Sequence, residues 1–571
     1  MTNDKTRSQW LHQKTQAEAN GGMVAARHPL AAEAGVEILK AGGNAADAVV
    51  AASFAESVVQ PVASTIGGGG MICYGGQNSK PQTINYLYEA PQRARADMFP
   101  LETGAGPGLF GWTGVKDSLN EIGALAAAVP GSVAGLTEAV AKFGRLSLND
   151  VMKPAIRLAD AGFEMDWYGS LMAGIHLDIL RRYKHTAATL LRDKQYPYRP
   201  RMLGTGDIHR QPELAATLRA ISRGGAKEFY QGEVATSIER AVREEGGILR
   251  ADDLASYKTI SGPAREIEYR GYKIYGQPHA MMLYALFINV LSEFDWSGLS
   301  PDDPRRLHLL IEITRRCWHD RYRYNGDARF FKGPWEALAS REYAALVADT
   351  VDKKKRTSLD RHPDPTALTP AAAKAKVSPV KVGDSRTVHI SAIDSSGGMA
   401  SLTETVLGNY GCYVTSDTGV LLNNGMMAFT PMPGHPGSIE PGKRPATNMG
   451  PMLVFDPKGQ PFMTLGASGG RKIVSAVLQI LNLVIDHKLD IQAAVAYPRV
   501  EWEGDKVILD ARFPHTVVND LISMGHDVET RAEDLSTFEF GNACGITRDP
   551  SGLLKGGVNP YQATAAIGFN L

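Results

Sequence analysis

No cysteine pair, no excess of one charge and no long apolar run mark this chain, and each absence removes a class of function. Four cysteines occur in 571 residues (Cys73, Cys317, Cys412 and Cys544), scattered singly with no C-x-x-C spacing. That usage builds neither a zinc site nor a disulfide framework and suits a reducing compartment. Each cysteine reads as a small buried hydrophobe. The 61 acidic and 61 basic side chains cancel, so the basic surplus of a dedicated nucleic-acid binder is missing. No stretch reaches the roughly 18 apolar residues needed to span a bilayer. The opening segment MTNDKTRSQWLHQKTQAEAN lacks the apolar core of a secretory signal. No His, Asp and Glu cluster falls at metal-ligand spacing. A cytoplasmic protein acting on a small molecule, with no metal, no cofactor, no nucleic acid and no membrane partner, is the expectation.

What is present is enough for a large core. Apolar residues make up 43% of the chain and charged residues 21%, a globular balance. The length allows two to four domains, or one body built on large sheets. Gly22 to Gly43 reads as a helix. Asn44 is placed to cap a second helix running to Val59. Ile66-Gly67-Gly68-Gly69-Gly70 then breaks the pattern. Consecutive glycines signal close backbone approach. A phosphate-cradling loop would need a following Lys-Ser/Thr, and none is there.

Residues 83–87 read as a strand, and 130–345 as mostly helix with one strand near Tyr269 to Tyr275. From about 351 to 386 the character changes. Lys353-Lys354-Lys355-Arg356, several prolines and Ala-rich spacers read as an exposed, mobile linker. Short strands follow at 387–393, 399–405 and 452–455, with a helix over 472–487. Helices first and strands afterwards suggest helical layers packed on antiparallel sheet.

The linker runs directly into Arg386-Thr387-Val388-His389. A threonine hydroxyl inside a chain is a weak nucleophile because no base stands beside it. Cutting the peptide bond before Thr387 would free an α-amine on the same residue. That amine has a reference pKa near 8 and could take the hydroxyl proton. On the residues alone, such a threonine reads as an ordinary strand start.

The surrounding motifs decide the matter. Gly22-Met23-Val24-Ala25, Gly43-Asn44-Ala45-Ala46-Asp47-Ala48, Ile66 to Gly70, Val129-Pro130-Gly131-Ser132, Gly162-Phe163, Tyr269-Arg270-Gly271-Tyr272 and Asp320-Arg321 occur in that order. Thr387-Val388-His389, Leu422-Asn423-Asn424, Lys443-Arg444-Pro445 and Gly466-Ala467-Ser468-Gly469-Gly470 follow. Together, from Gly22 to about Phe569, the chain resembles the gamma-glutamyltransferase family of N-terminal-nucleophile hydrolases. The resemblance implies an α/β fold, a four-layer αββα sandwich with two antiparallel sheets between helical layers. It also implies a proenzyme cut between Arg386 and Thr387 into a large subunit, 1–386, and a small subunit, 387–571. A dimer of such heterodimers is left open. Thr387 matches the nucleophile, Thr405 the second threonine that orients it, and Gly469 and Gly470 the pair whose N–H groups form the oxyanion hole. The family needs no metal or cofactor.

The substrate pocket departs from the family pattern. Where glutamyl-reading members carry an arginine, an asparagine, a glutamine and an aspartate, this chain has Leu87, Leu407, Gly425 and Ala428. The serine pair after Arg-Pro becomes Thr447 and Asn448. Losing these groups together would leave a glutamyl carboxylate and ammonium desolvated without partners, a penalty on the order of several kcal/mol. Arg471 is a candidate replacement. Lys472 stands where the family carries a structural arginine, and His279 and His435 fall in loops unlike the family's. The expectation is an amidohydrolase or acylase for a small non-glutamyl acyl group such as oxamate. The alternatives are a gamma-glutamyl hydrolase or transpeptidase acting on glutathione-like compounds, a C–C-cleaving member of a biosynthetic pathway, and an unprocessed binding scaffold.

Overall fold

The computed structural model describes residues 12–77, 79–102, 114–202, 204–324, 326–369, 386–504, 506–535 and 537–571. Two seven-stranded sheets form its centre. In spatial order the first runs Ala565–Phe569, Gly22–Ala26, Arg386–Asp394, Met399–Leu407, Gly69–Gly76, Ser79–Tyr86 and Ile260–Pro263. The second runs Ala17–Ala19, Leu554–Val558, Asn542–Arg548, Pro461–Ser468, Met452–Phe455, Tyr272–Gly276 and Arg265–Tyr269. Every neighbouring pair in both sheets is antiparallel.

The sheets stack face to face through Met23, Ala25, Cys73 and Met399 of the first and Leu453, Cys544 and Ile546 of the second. Helices Pro29–Lys40, Ala45–Val59 and Ser132–Phe143 cover the outer face of the first sheet, burying Val49, Val133, Ile390 and Leu402 in one core. Helices Pro278–Ser292, Pro304–Tyr324 and Lys472–Ile485 cover the second, with Phe287, Ile311 and Val477 buried against Val454 and Leu465. The expected αββα sandwich is thus present. All four cysteines are buried and unpaired. Each sheet takes strands from both sides of the Arg386–Thr387 junction, so a cut there leaves two pieces locked in one body.

The helix expected over Gly22 to Gly43 is corrected. Gly22–Ala26 is a strand, and the helix starts only at Pro29. This strand is buried along its whole length. A strand covered on both faces shows no alternation and looks like a buried helix in sequence. Asn44 caps the next helix as expected, and Asp47 completes a capping box. The glycine run reflects close approach, as expected: a Cβ on Gly68 would lie 2.6 Å from the carbonyl oxygen of Thr405.

Of the expected linker over 351–386 the structure describes 351–369, where Lys353 to Arg356 are exposed as expected while backbone and neighbouring residues are tied to the body; residues 370–385 lie outside the described residues. Arg356 N–H donates to Met524 O at 2.7 Å. The guanidinium of Arg316 donates to Thr357 at 2.6 Å, and Tyr343 donates to the carbonyl of Pro363 at 2.9 Å. Polar side chains of the preceding helices fasten this segment, a signal invisible to a composition argument.

Beneath the first sheet, on its helix side, lie two buried carboxyls, Glu404 and Glu56. Burial pushes both up to about 7. Hydrogen bonds from Ser132 and Ser53 counter the shift at Glu404, and His28 and Arg27 counter it at Glu56. A carboxyl with a raised folded-state pKa holds its proton longer in the native state. Its stability contribution is therefore complete below the unfolded value, near 4.3, and is lost as pH rises through about 7. Glu404→Gln, which cannot ionise, should gain stability relative to the parent by on the order of 2 kcal/mol at pH 8 and little at pH 5. Melting temperatures of the two proteins across that range check this. A difference that does not change with pH would contradict it.

Candidate active site

The strand Arg386–Asp394 pairs with Met399–Leu407, and the register slips between Arg386 and Val388. Thr387 sits at that bulge. A bulge breaks the ladder locally and re-aims a side chain, and bulges recur beside active sites. Thr387 is 2% exposed, and its Oγ1 donates to Thr405 Oγ1 at 3.4 Å, a long bond. The Thr405 hydroxyl donates in turn to the carbonyl oxygen of Arg386, and it accepts the N–H of Leu407 at 2.7 Å. Thr387, Thr405 and the carbonyl of Arg386 are therefore in one hydrogen-bonded string. The Thr387 carbonyl accepts a bond from the buried Arg27.

Gly469 and Gly470 lie between the strand Pro461–Ser468 and the helix Lys472–Ile485, with φ of +120° and +61°. Side-chained residues rarely adopt that geometry. A Cβ on Gly469 would fall 2.6 Å from the ring of Phe538. The Arg386 guanidinium lies over that same ring at 4.9 Å, and that of Arg27 at 5.6 Å. Phe538 thus connects the glycine pair to the junction before Thr387. Lys472 Nζ holds the Phe538 carbonyl at 2.6 Å, a structural use. Sequence reasoning missed Phe538 and Arg27; neither sits in a motif, and only the fold brings them here.

His389, part of the Thr387-Val388-His389 motif, bonds Thr403 at 2.8 Å and Ser391 at 3.1 Å. Burial pushes it down to about 3, so it is neutral and packs between the sheets.

The predicted pocket residues divide. Ala428, Asn448 and Arg471 line one narrow cavity of about 40 Å3, together with Arg321, Tyr322 and His435. Leu407 packs in the same apolar cluster as Ala428, Tyr88 and Phe429. It has a positive φ of 83° and sits opposite Arg386 in the strand register. Gly425 is packed tight, since a Cβ there would meet Tyr88 at 2.5 Å and Ala128 at 2.8 Å. Leu87 lines neither this cavity nor the larger one; it is buried in the core around Tyr284 and Leu465. Thr447 lines the larger cavity of about 500 Å3, along with His279, Asp320 and Arg444. The expectation that His279 falls in a loop is corrected: it opens the helix Pro278–Ser292.

Spacing also hid one group of metal-ligand type. His319, Asp320 and His362 bring their ligand atoms within 4.8 Å of one another. The Asp320 carboxylate lies 2.9 Å from His362 Nε2 and from the Tyr343 hydroxyl, whose one proton is shared between it and the Pro363 carbonyl, which makes the group a fastener for the segment after residue 351. Among the described residues, no helix is long and apolar enough to cross a membrane.

The family model for gamma-glutamyltranspeptidase matches residues 31–569. The chain belongs to the gamma-glutamyltranspeptidase family. It is accordingly an enzyme of the self-processing N-terminal-nucleophile hydrolase type. Within the family it is 34% identical to the acylase ACY 1 proenzyme of Pseudomonas sp. (strain V22) over 550 residues, covering 95% of this chain and 93% of that one. It is 30% identical to the glutathione hydrolase proenzyme of Escherichia coli (strain K12) over 571 residues, covering 95% and 90%. The crystal structure of a cephalosporin acylase from Bacillus halodurans superposes with a TM-score of 0.83 at 24% identity, covering 100% of this chain and 99% of that one, which shows the shared fold.

The glycine pair gives a direct check on this transpeptidase-family site. Gly469→Ala forces a Cβ against Phe538 and disfavours the φ of +120°, which displaces the adjacent N–H groups. Turnover should fall by roughly 10²–10³-fold, the usual cost of losing an oxyanion donor. Steady-state kinetics on any accepted amide measures it. A Gly469→Ala enzyme of parental activity would remove these glycines from the site.

Proposed function

We propose that this chain cuts itself between Arg386 and Thr387, into pieces of 386 and 185 residues, and then hydrolyses the amide of a small non-glutamyl acyl acid such as oxamate through a threonyl ester. The observation that carries the reading is the string Thr387–Thr405–Arg386 carbonyl at the bulge.

In the uncleaved chain the Thr387 oxygen, on the residue that follows the bond, attacks the carbonyl carbon of Arg386. As it attacks, its proton can pass through Thr405 to the carbonyl oxygen that Thr405 already contacts. Collapse expels the amide nitrogen of Thr387 as a free α-amine and leaves an ester to its side-chain oxygen. Water hydrolyses that ester, releasing the Arg386 carboxylate. The neutral α-amine then accepts the hydroxyl proton when Thr387 attacks a substrate carbonyl. The N–H groups of Gly469 and Gly470 stabilise the oxyanion, the amine returns the proton to the departing nitrogen, and a second water frees the acid. Thr405 holds the hydroxyl in line throughout, which is worth about 10²-fold.

The substrate class rests on the pocket. Ala428 lines it and packs in one apolar cluster with Leu407, and Gly425 has no room for the glutamine that glutamyl-reading members carry. Restoring all four family groups (Leu87→Arg, Leu407→Asn, Gly425→Gln, Ala428→Asp) is therefore expected to destabilise the protein and not to create glutamyl activity.

Two experiments test the reading. On a denaturing gel the purified protein should run as two bands near 42 and 20 kDa, in rough proportion to length, while Thr387→Ala stays as one. Efficient cleavage in Thr387→Ala would sink the assignment, because alanine has no oxygen for the acyl shift. Secondly, kcat/KM for oxamate should exceed that for glutathione and gamma-glutamyl-p-nitroanilide. A tenfold advantage for glutathione would restore the glutamyl reading.

A further inference from the structure

Two buried arginines that line one cavity keep guanidinium nitrogens without hydrogen-bond partners. Arg471 follows Gly470 directly, and Arg321 stands in the last turn of the helix Pro304–Tyr324. They are 6% and 8% exposed, and both line the 40 Å3 cavity next to Ala428 and Asn448. Arg471 uses Nη1 on the hydroxyl of Tyr322, while its Nε and Nη2 are buried with no partner. Those two nitrogens form a single edge of the guanidinium, the fork that takes both oxygens of a carboxylate. Arg321 donates Nη2 to the Thr447 carbonyl at 3.0 Å and to Asn448 Oδ1 at 3.2 Å. Its Nε and Nη1 are likewise buried and unpartnered. Glu501 accepts from Ser475 at 3.0 Å and also acts electrostatically on Tyr322.

Burial lowers Arg321 to about 9, with Tyr322 and Tyr284 opposing the shift, so the side chain still carries its charge at neutral pH. A buried, unpaired charge is costly to keep. A binding pocket whose ligand brings the counter-charge accounts for it.

Building on the proposed amidohydrolase reading, we infer that Arg471 and Arg321 read the carboxylate of the substrate's acyl group. Arg471 grips it through the Nε–Nη2 edge, and Arg321 supplies the second positive charge. Position supports the roles: Cα atoms of consecutive residues are about 3.8 Å apart, so the oxyanion glycine and the acid-binding arginine are neighbours. Size supports them too, because a 40 Å3 cavity holds only a few heavy atoms. The part of the ligand that this cavity takes is thus a short acid group. This is a different arginine, at a different place in the chain, from the position occupied by Leu87.

The test pairs substrates that differ only in that charge. The mature enzyme should prefer oxamate over the neutral diamide oxamide by at least 10²-fold in kcat/KM. Oxalate, the acid product, should bind the mature enzyme in calorimetry. Arg471→Met should collapse the oxamate preference to within a few-fold, mostly through KM, and abolish oxalate binding. Arg471→Lys, which keeps the charge but not the fork, should fall between. Circular dichroism and the two-band gel establish that each variant is folded. If oxamide and oxamate are used equally, or Arg471→Met keeps both the preference and the oxalate binding, the inference is wrong. Oxalate that binds the parent and not Arg471→Met supports the inference even if no amide is turned over, so this failure is distinct from failure of the hydrolase reading, which is seen as an uncut, inactive chain.

Discussion

The hydroxyl of Thr405 donates to the carbonyl of Arg386 while accepting from Thr387, and the site is arranged around these bonds. They require the bulge that takes Thr387 out of the ladder. They also require the Thr405 strand to be fixed, which is achieved by pairing it with Gly69–Gly76 on its other side. The glycine run is the consequence, since a side chain on Gly68 would strike the Thr405 carbonyl. Strands of the first sheet from both sides of the Arg386–Thr387 junction are thereby committed to holding one hydroxyl in place. Preorganisation of this kind is what lets a weak nucleophile react.

Charge is handled by burial throughout. His389 is held neutral between the sheets, and Glu404 and Glu56 are pushed up beneath them, so the sheets around Thr387 carry little ionised charge at moderate pH. Against that background the positive groups stand out. Arg27 and Arg386 lie over the ring of Phe538, and Arg321 and Arg471 line the cavity beyond. A site with that polarity attracts an acid. It is the reverse of a site that must also seat a substrate ammonium, which agrees with the apolar Ala428 at its wall.

Much of this was legible in the sequence, and the reasons for the rest are physical. The strands Arg386–Asp394 and Met399–Leu407, the Asn44 cap and the helix from Lys472 follow from local pattern. Gly22–Ala26 was not legible, because full burial erases alternation. The fastening of residues 351–369 depends on Arg316 and Tyr343, which are distant in the chain. Within the site, the threonines and glycines carry family motifs, whereas Phe538 and Arg27 are meaningful only once the sheets are stacked. Leu87 is the converse case: its motif position suggested the pocket, and the fold buries its side chain in an apolar cluster.

The intact mass of the protein after brief incubation with an excess of oxamate, quenched in acid, tests the account most directly. It should show a 386-residue piece at its unmodified mass and a 185-residue piece beginning at Thr387, part of which carries one oxalyl group on that threonine. An uncut chain, or an adduct on the large piece, would contradict it.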